Sequence, residues 1–204
     1  MKKIFIFYII LFFSNQASAQ DNVQAVEKFI GGVGNNIIKI ASDESLSNAK
    51  RRSEIINEID KIIDSKWISR FVLGKSYKNM SQNQKDKFSE LYRQFMINTY
   101  GPKFKNYDGR KFTVRSVVKQ NIFYIAKCEF LPRTSDVPIE VAFRIKNSTE
   151  NSKDKLVVLD FVAEGVSLIE TQRSEFNSNI SQKGVDGFMQ DLQKRVRELK
   201  ARTD

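Results

Sequence analysis

The sequence predicts an α+β fold in which an antiparallel sheet of four to five strands packs against helices from both ends of the chain. Apolar residues recur every three to four positions before residue 100 and again after residue 173, whereas they alternate with polar residues between 112 and 162. The gaps between the alternating segments are too short to hold crossover helices. Consecutive strands must therefore run antiparallel, as a meander.

The chain begins with the three parts of a secretory signal peptide. Lys2 and Lys3 precede an unbroken apolar run over residues 4–13, and an Ala-x-Ala sequence ends at Ala19. The run is about half of the ~20 residues that span a bilayer, which favours removal over a membrane anchor. We therefore predict a signal peptide over residues 1–19, cleavage after Ala19, and one exported domain over residues 20–204. A buried N-terminal helix or an uncleaved anchor is the alternative.

Three helical segments follow in the predicted mature chain. The first has apolar residues at helical spacing over residues 23–40, with a bend or break expected near its glycines at 31, 32 and 34. The polar stretch 42–45 is expected to end it and to cap the second, which carries isoleucines over 55–63. The third is expected to begin with a capping box formed by Ser81 and Gln84.

Beyond these helices the apolar period changes from 3.6 to 2, which predicts strands. Isoleucine, valine and phenylalanine alternate with charged residues in the third of them, so one face of the sheet is expected to be apolar and the other wet. A helical pattern returns at about Arg173 and again after Gly184. The predicted strands are 112–119, 122–130, 139–146 and 156–162, with a further candidate at 165–170.

The chain contains no histidine and one cysteine, Cys128. Without histidine, neither a Ser-His-Asp or Cys-His arrangement nor a histidine-ligated zinc is possible. Cys128 has no partner for an internal disulfide, and its place on an alternating segment predicts a small core residue rather than a nucleophile. Ser167, close to Glu164, lacks the Gly-x-Ser-x-Gly elbow of a hydrolase. We therefore predict a protein that is not an enzyme and uses neither metal nor cofactor.

Lysine and arginine outnumber acidic residues, 34 to 24, which gives a formal net charge of +10. In an intracellular protein this balance would point to nucleic acid, but export removes that target. Anionic lipid, an acidic protein partner, or a soluble lysine-rich surface remain. A basic cluster is the candidate steering surface, with a solvated face as the alternative. Its members are Lys103, Lys105, Arg110, Lys111, Arg115 and Lys119.

Several segments of the chain, in the same order, resemble one family of exported proteins. The segment that starts at Trp67 reads Trp-Ile-Ser-Arg-Phe-Val-Leu-Gly-Lys, and the run Asp-x-x-x-Glu-Gly-Val-Ser that starts at Asp160 is the most specific part. These segments resemble the toluene-tolerance (MlaC) family of periplasmic phospholipid-binding proteins, and the similarity extends in the same order over nearly the whole mature chain. The matching segments are 67–75, 80–84, 95–101, 159–169, 173–176 and 184–187.

The resemblance implies a nuclear-transport-factor-like domain with an apolar cavity between sheet and helices. It implies a soluble, monomeric periplasmic carrier that shuttles one glycerophospholipid between the outer and inner membranes and maintains outer-membrane lipid asymmetry. The implied partners are an inner-membrane ABC transporter complex with its substrate-binding ring protein, and an outer-membrane lipoprotein–porin complex. The phospholipid is cargo and not a cofactor. The alternative is an exported adaptor with a filled core that binds an envelope protein through its basic surface.

We expect apolar residues of the sheet, the helices and the family motif to line the lipid cavity, with ordinary core packing as the alternative at each position. Asp160 and Arg173 are interpreted as a structural ion pair that fixes the turn through Gly165. Gly165 itself is expected to serve a close backbone approach or a positive φ. The cavity candidates are Phe71, Leu73, Phe95, Met96, Val114, Tyr124, Ala126, Val141, Phe143, Val166 and Leu168.

Overall fold

The computed structural model describes residues 14–100, 109–133, 135–148 and 155–202, with side chains from residue 22 onward in the first range and from 111 in the second. Helices lie at both ends of the chain and strands between them. The helices are α1 Ser14–Ala41, α2 Asn48–Ile62, α3 Ser65–Leu73, α4 Lys75–Asn79, α5 Gln82–Tyr100 and α6 Leu168–Ala201. The strands are β1 Gly109–Gln120, β2 Phe123–Pro132, β3 Ile139–Ser148, β4 Lys155–Ala163 and β5 Val166–Ser167.

The five strands form one antiparallel sheet in the order β1-β2-β3-β4-β5, which confirms the predicted meander and the α+β class. β5 is much shorter than the candidate segment 165–170, because α6 already begins at Leu168. Glu164 and Gly165 join β4 to β5 with φ values of 52° and 78°. Two consecutive positive φ values are typical of a two-residue type I′ hairpin turn.

Helix α1 lies on one face of the sheet and contacts β1 and β2. The break that was one of the two alternatives expected at its glycines does not occur, because the helix is continuous from Ser14 to Ala41. A Cβ atom on Gly34 would lie 2.2 Å from Cδ1 of Phe112, and one on Gly31 would lie 3.6 Å from Cγ2 of Val114. Two of these glycines therefore bring the helix close to β1.

The remaining helices form a second layer in which α6 folds back on itself. Gly184 has φ 69° and ψ 177°, which breaks the helix there. Glu175 and Arg195 form an ion pair across the break, although a straight helix would separate them by about 30 Å. The rings of Phe176 and Phe188 lie 5.1 Å apart. Residues 168–183 and 185–201 are therefore two arms of a helical hairpin.

Capping side chains set the starts of several helices, three of which precede the sheet. Ser81 and Gln84 form the predicted capping box at α5, with each side chain bonded to the backbone N–H of the other residue. Ser47 caps α2, so the cap lies beyond the expected stretch 42–45. Asp64 caps α3 by accepting a hydrogen bond from the backbone N–H of Trp67 at 2.9 Å.

Among the described helices, none combines the length and apolarity that a membrane span requires.

Candidate functional site

Two separate hydrophobic clusters make up the interior. The helical cluster lies between α3, α5 and α6, and it centres on Phe88, Phe95, Phe176 and Phe188, each at most 2% exposed. The sheet cluster lies between α1 and the sheet. Its buried members are Val26, Ile30, Tyr124, Ala126, Cys128, Ile145 and Val158.

The helical cluster is almost fully buried, and two of its polar side chains are hydrogen-bonded to each other. The hydroxyl of Tyr92 donates to Oε1 of Gln172, which is 3% exposed, and Nε2 of Gln172 lies 3.1 Å from Sδ of Met96. Burial raises the pKa of Tyr92 well above its ordinary value. The Phe176 ring packs edge-on against Phe88 and Tyr92. Rings that contact one another and are hardly exposed to solvent are typical of a structural core.

The sheet cluster is different, because part of its apolar face remains accessible. We call this part the apolar strip. It runs across β1, β3, β4 and β5, on the face of the sheet to which α1 is bound, and its aromatic members form a row. The ring centroids of Phe112 and Phe143 lie 6.2 Å apart, and those of Phe143 and Phe161 lie 5.4 Å apart. Its members are Phe112, Ile139, Val141, Phe143, Phe161 and Val166.

Exposure along the strip increases towards the edge of the sheet. Phe112, Val141 and Phe143 are half-buried. Phe161 on β4 is 37% exposed, and Val166 on β5 is 61% exposed. Contiguous exposed apolar surface is uncommon on a soluble protein and marks a place where something else binds. The strip is therefore the candidate functional site.

The strip continues into a cleft at the end of the sheet. The loop between β2 and β3 forms one side of this loop-end cleft, and the β4–β5 turn forms the other. The cleft encloses about 460 Å³, and its lining is mainly apolar with two carboxylates. The lining residues are Pro132, Ser135, Val137, Pro138, Ile139, Glu140 and Glu164.

The structure does not pair Asp160 with Arg173, so that interpretation is wrong. Oδ2 of Asp160 accepts a hydrogen bond from the hydroxyl of Ser167 at 2.6 Å, and Oδ1 accepts one from the backbone N–H of Ile169 at 3.2 Å. Ser167 in turn caps α6 by accepting from the N–H of Glu170 at 3.1 Å. The carboxylate satisfies N-terminal N–H groups of a helix, which is the favourable place for a negative charge.

Arg173 instead connects α6 to α3. Its guanidinium donates to the carbonyl of Phe71 at 3.1 Å and lies 4.7 Å from the centroid of the Phe71 ring. Gly165 has the positive φ that was expected, whereas a Cβ there would meet nothing within 4 Å. The turn therefore uses glycine for its backbone conformation and not for a close approach.

The structure distributes the cavity candidates over both clusters. Leu73 and Phe95 are buried in the helical cluster, with Phe71 and Met96 packed against it. Five candidates from strands belong to the sheet cluster or pack against it: Val114, Tyr124, Ala126, Val141 and Phe143. Val166 is exposed on β5, and Leu168 begins α6. Their contact with lipid stays a prediction, but they do not surround one common space among the described residues.

The sequence analysis missed Phe161, because strict alternation in β4 places it on the wrong face. Val158 pairs with Ile145, whereas Asp160 pairs with Arg144, so the register shifts at this point in β4. The shift moves Phe161 to the apolar face, opposite Phe143. A bulge of this kind leaves no distinct signal in the pattern of apolar residues. Only the pairing shows it.

Cys128 and the basic cluster add no catalytic or metal chemistry. Burial raises the pKa of the Cys128 thiol from 9.0 to about 12, so it stays protonated at neutral pH. No cluster of metal-ligating side chains occurs in the part of the chain that the structure describes. In the basic cluster, Arg115 is paired with Glu129, and Lys111 and Lys119 are exposed. Lys103, Lys105 and the side chain of Arg110 lie outside the described residues.

Comparison with known proteins identifies the family. A family model described as MlaC protein matches residues 32–194. The intermembrane phospholipid transport system binding protein MlaC of Haemophilus influenzae is 23% identical over 172 residues, which cover 83% of this chain and 78% of that protein. A phospholipid-binding protein from Ralstonia solanacearum, solved in complex with a phospholipid, has the same fold. Its TM-score is 0.74 at 18% identity, covering 85% of this chain and 98% of its own.

The first relative is named as the binding protein of a phospholipid transport system, and the second as a phospholipid-binding protein. The shared fold and the family match agree with the motif that starts at Asp160, whose side chains hold the start of α6. Because the family model spans most of its length, this chain belongs to the MlaC family.

Proposed function

We propose that this chain is a soluble carrier that binds a glycerophospholipid by its acyl chains and shuttles it between the outer and inner membranes. In this role it maintains outer-membrane lipid asymmetry as part of an ABC-transporter-linked system. Family membership supports the proposal, as do the two relatives, both of which are named for phospholipid binding or transport.

The apolar strip is the observation that carries the proposal. Phe143 and Phe161 keep part of their rings accessible beside a sheet cluster that buries Cys128 and Ala126 almost completely. Exposing large aromatic side chains to water is energetically unfavourable. A fold that bound no ligand would gain nothing from such a surface. Acyl chains that lie along the strip would remove this surface from water.

The energetics of the task favour an apolar site of this kind. Two acyl chains contain roughly 30 methylene groups, and exposing each to water costs about 0.8 kcal/mol, so about 25 kcal/mol opposes free diffusion of the lipid. A carrier must therefore cover the tails. The headgroup can remain in water, so the site needs neither a metal nor a cofactor, and headgroup selectivity is expected to be weak. The phospholipid is the cargo, and no reaction is expected.

The proposed location is the periplasm, reached through the signal peptide of residues 1–19 and released by cleavage after Ala19. The proposed partners are the inner-membrane ABC transporter complex with its substrate-binding ring protein, and the outer-membrane lipoprotein–porin complex. N-terminal sequencing of the protein recovered from the periplasm tests the cleavage site. We expect Gln20 as the first residue.

Extraction of the purified protein into organic solvent, followed by mass spectrometry, tests lipid binding directly. We expect about one phospholipid per chain, the stoichiometry of a carrier that encloses both tails of a single lipid. A lipid-free preparation with full thermal stability would instead support the alternative, an exported adaptor with a filled interior.

Phe143→Glu tests the location of the bound tails. The new carboxylate would place an unpaired charge among acyl chains, so bound lipid should fall several-fold while the chain remains folded. Ile125→Glu is the matched control, because Ile125 is also half-buried but lies on the opposite face of the neighbouring strand. Equal lipid content in the two variants would place the tails elsewhere. Circular dichroism checks that both variants are folded.

A further inference from the structure

Exposed apolar residues converge at one end of the sheet. Val137 is 72% exposed, Ile139 is 45% exposed, and Val166 is 61% exposed. The first two line the loop-end cleft, and Val166 follows the turn that closes its other side. These residues come from two connections that are distant in sequence, so the fold itself assembles the patch.

The charge at this patch is opposite to that of the whole protein. Glu140 and Glu164 line the cleft beside the apolar residues, whereas the chain has a formal net charge of +10. Neither carboxylate forms an ion pair with any residue that the structure describes, unlike Glu129 and Glu170, which are paired with Arg115 and Arg144. The two free carboxylates therefore face the surroundings of the cleft.

Shape and charge together select the kind of partner. A bilayer is contacted by protruding apolar side chains with lysine or arginine around them, because cellular membranes carry negative charge. The loop-end cleft is concave, and the two charged residues of its lining, Glu140 and Glu164, are acidic, although the exposed Arg133 lies in the same β2–β3 loop. A concave apolar site with an acidic rim instead fits a protein that presents a protruding apolar side chain flanked by lysine or arginine.

We propose that the loop-end cleft and Val166 form the surface by which this carrier docks on a basic partner protein when it exchanges its lipid. The proposal rests on the proposed function. The cleft shares Ile139 with the apolar strip, so a partner seated on it lies at the end of the lipid site. Lipid that slides along the strip into such a partner would avoid exposure to water, which is the main barrier to transfer.

The test measures binding of the purified lipid-loaded chain to two immobilised probes by biolayer interferometry. These probes are the detergent-solubilised inner-membrane transporter complex and the outer-membrane lipoprotein–porin complex of the same organism. The first variant reverses both charges, Glu140→Lys with Glu164→Lys, and the second is Val137→Asp. Ile122→Asp is the matched control, because Ile122 is 68% exposed but lies in the β1–β2 turn at the opposite end of the sheet.

We expect both variants to weaken binding to at least one complex by roughly tenfold or more, since they oppose the partner's charge or its apolar contact. The control should bind as the wild type does. For the wild type, raising sodium chloride from about 50 mM to about 300 mM should slow association several-fold. Unchanged binding of both variants to both complexes would overturn the proposal, as would a wild type that binds neither complex.

Two further measurements test whether a bilayer or a second copy of the chain, and not a basic partner protein, occupies the cleft. Flotation with zwitterionic phospholipid vesicles that is lost in Val137→Asp would identify a bilayer contact, and a dimer that the same variant dissociates would identify a second copy of the chain. Either result overturns the proposal. The lipid content of each protein distinguishes the docking hypothesis from the proposed carrier function. A variant that fails to dock but contains its full amount of lipid leaves the carrier function intact. A wild type without lipid rejects the carrier function itself.

Discussion

The helical cluster and the apolar strip are both rich in phenylalanine, but they differ in how completely those rings are covered. Phe176 touches Phe88, Tyr92, Phe95 and Phe188 and is 2% exposed. Phe161 touches Phe143 and is 37% exposed. Similar residue types therefore serve two purposes. In the first region they stabilise the fold, and in the second they leave apolar surface for a ligand.

In this fold the helical cluster is covered more completely than the apolar face of the sheet. The two arms of α6, with α3 and α5, bury one another, and this helical layer also contacts the sheet through α6 on β4 and through Trp67, whose ring lies against Phe123. Helix α1 is the main cover of the apolar sheet face and contacts β1 and β2. On the strands further from α1, Ile139, Phe161 and Val166 remain exposed. Four predictions test this contrast, beginning with the largest expected change in stability.

Phe176→Ala should be the most damaging change. It removes a ring from a buried cluster and leaves a cavity, so the free energy of unfolding should fall by about 3–5 kcal/mol. Phe161→Ala removes a ring that already meets solvent, and it should lower stability by less than about 1 kcal/mol while reducing bound lipid. Urea unfolding and lipid quantification measure the two effects. Equal destabilisation by both changes would contradict the division into a buried and a partly exposed region.

Gly34→Ala tests how closely α1 must approach the sheet. The added Cβ would lie 2.2 Å from the Phe112 ring, so helix or ring must move, and stability should fall by about 1–3 kcal/mol. Gly32→Ala is the control, because a Cβ there meets nothing within 4 Å. In an exposed helical position alanine should raise stability by roughly 0.5–1 kcal/mol. Thermal unfolding of the two variants should therefore shift in opposite directions.

Ser167→Ala tests the connection between the sheet and the helical layer. The change removes the cap of α6 and a hydrogen bond to Asp160, so the free energy of unfolding should fall by about 1–2 kcal/mol. Ser178→Ala, on the exposed surface of the first arm of α6, is the control and should leave stability nearly unchanged. A loss no larger than that of the control would mean that Asp160 alone holds the start of α6.

The rate at which the Cys128 thiol is labelled measures how firmly α1 covers the sheet. This prediction involves the smallest effect on stability. Because its pKa in the fold is about 12, above the ordinary 9.0, the thiol stays protonated at pH 8 and should react with a thiol reagent only after opening or unfolding. The same shift stabilises the fold below pH 9, and this contribution is lost as pH rises towards 12. Gly34→Ala should accelerate the reaction and Gly32→Ala should not. Rapid labelling of the wild type would contradict a tightly seated α1.

The residue pattern predicted the helix–sheet–helix order, although not the helices α3 and α4, and it predicted the meander, the capping box at Ser81 and the absence of histidine chemistry. Each of these depends on residues that are near in sequence or on composition alone. Periodicity shows which side of an element is apolar, so it also located the sheet residues Tyr124 and Ala126 on a buried face.

The tertiary structure alone decided which apolar faces meet. It separated Phe95 from Phe143 into different clusters, exchanged the expected ion pair of Asp160 for a helix cap, and showed that Gly34 serves a contact with Phe112. The physical reason is that periodicity describes one element at a time. The partner of an apolar face, and the bulge that moves Phe161 onto that face, are set by contacts between elements distant in sequence.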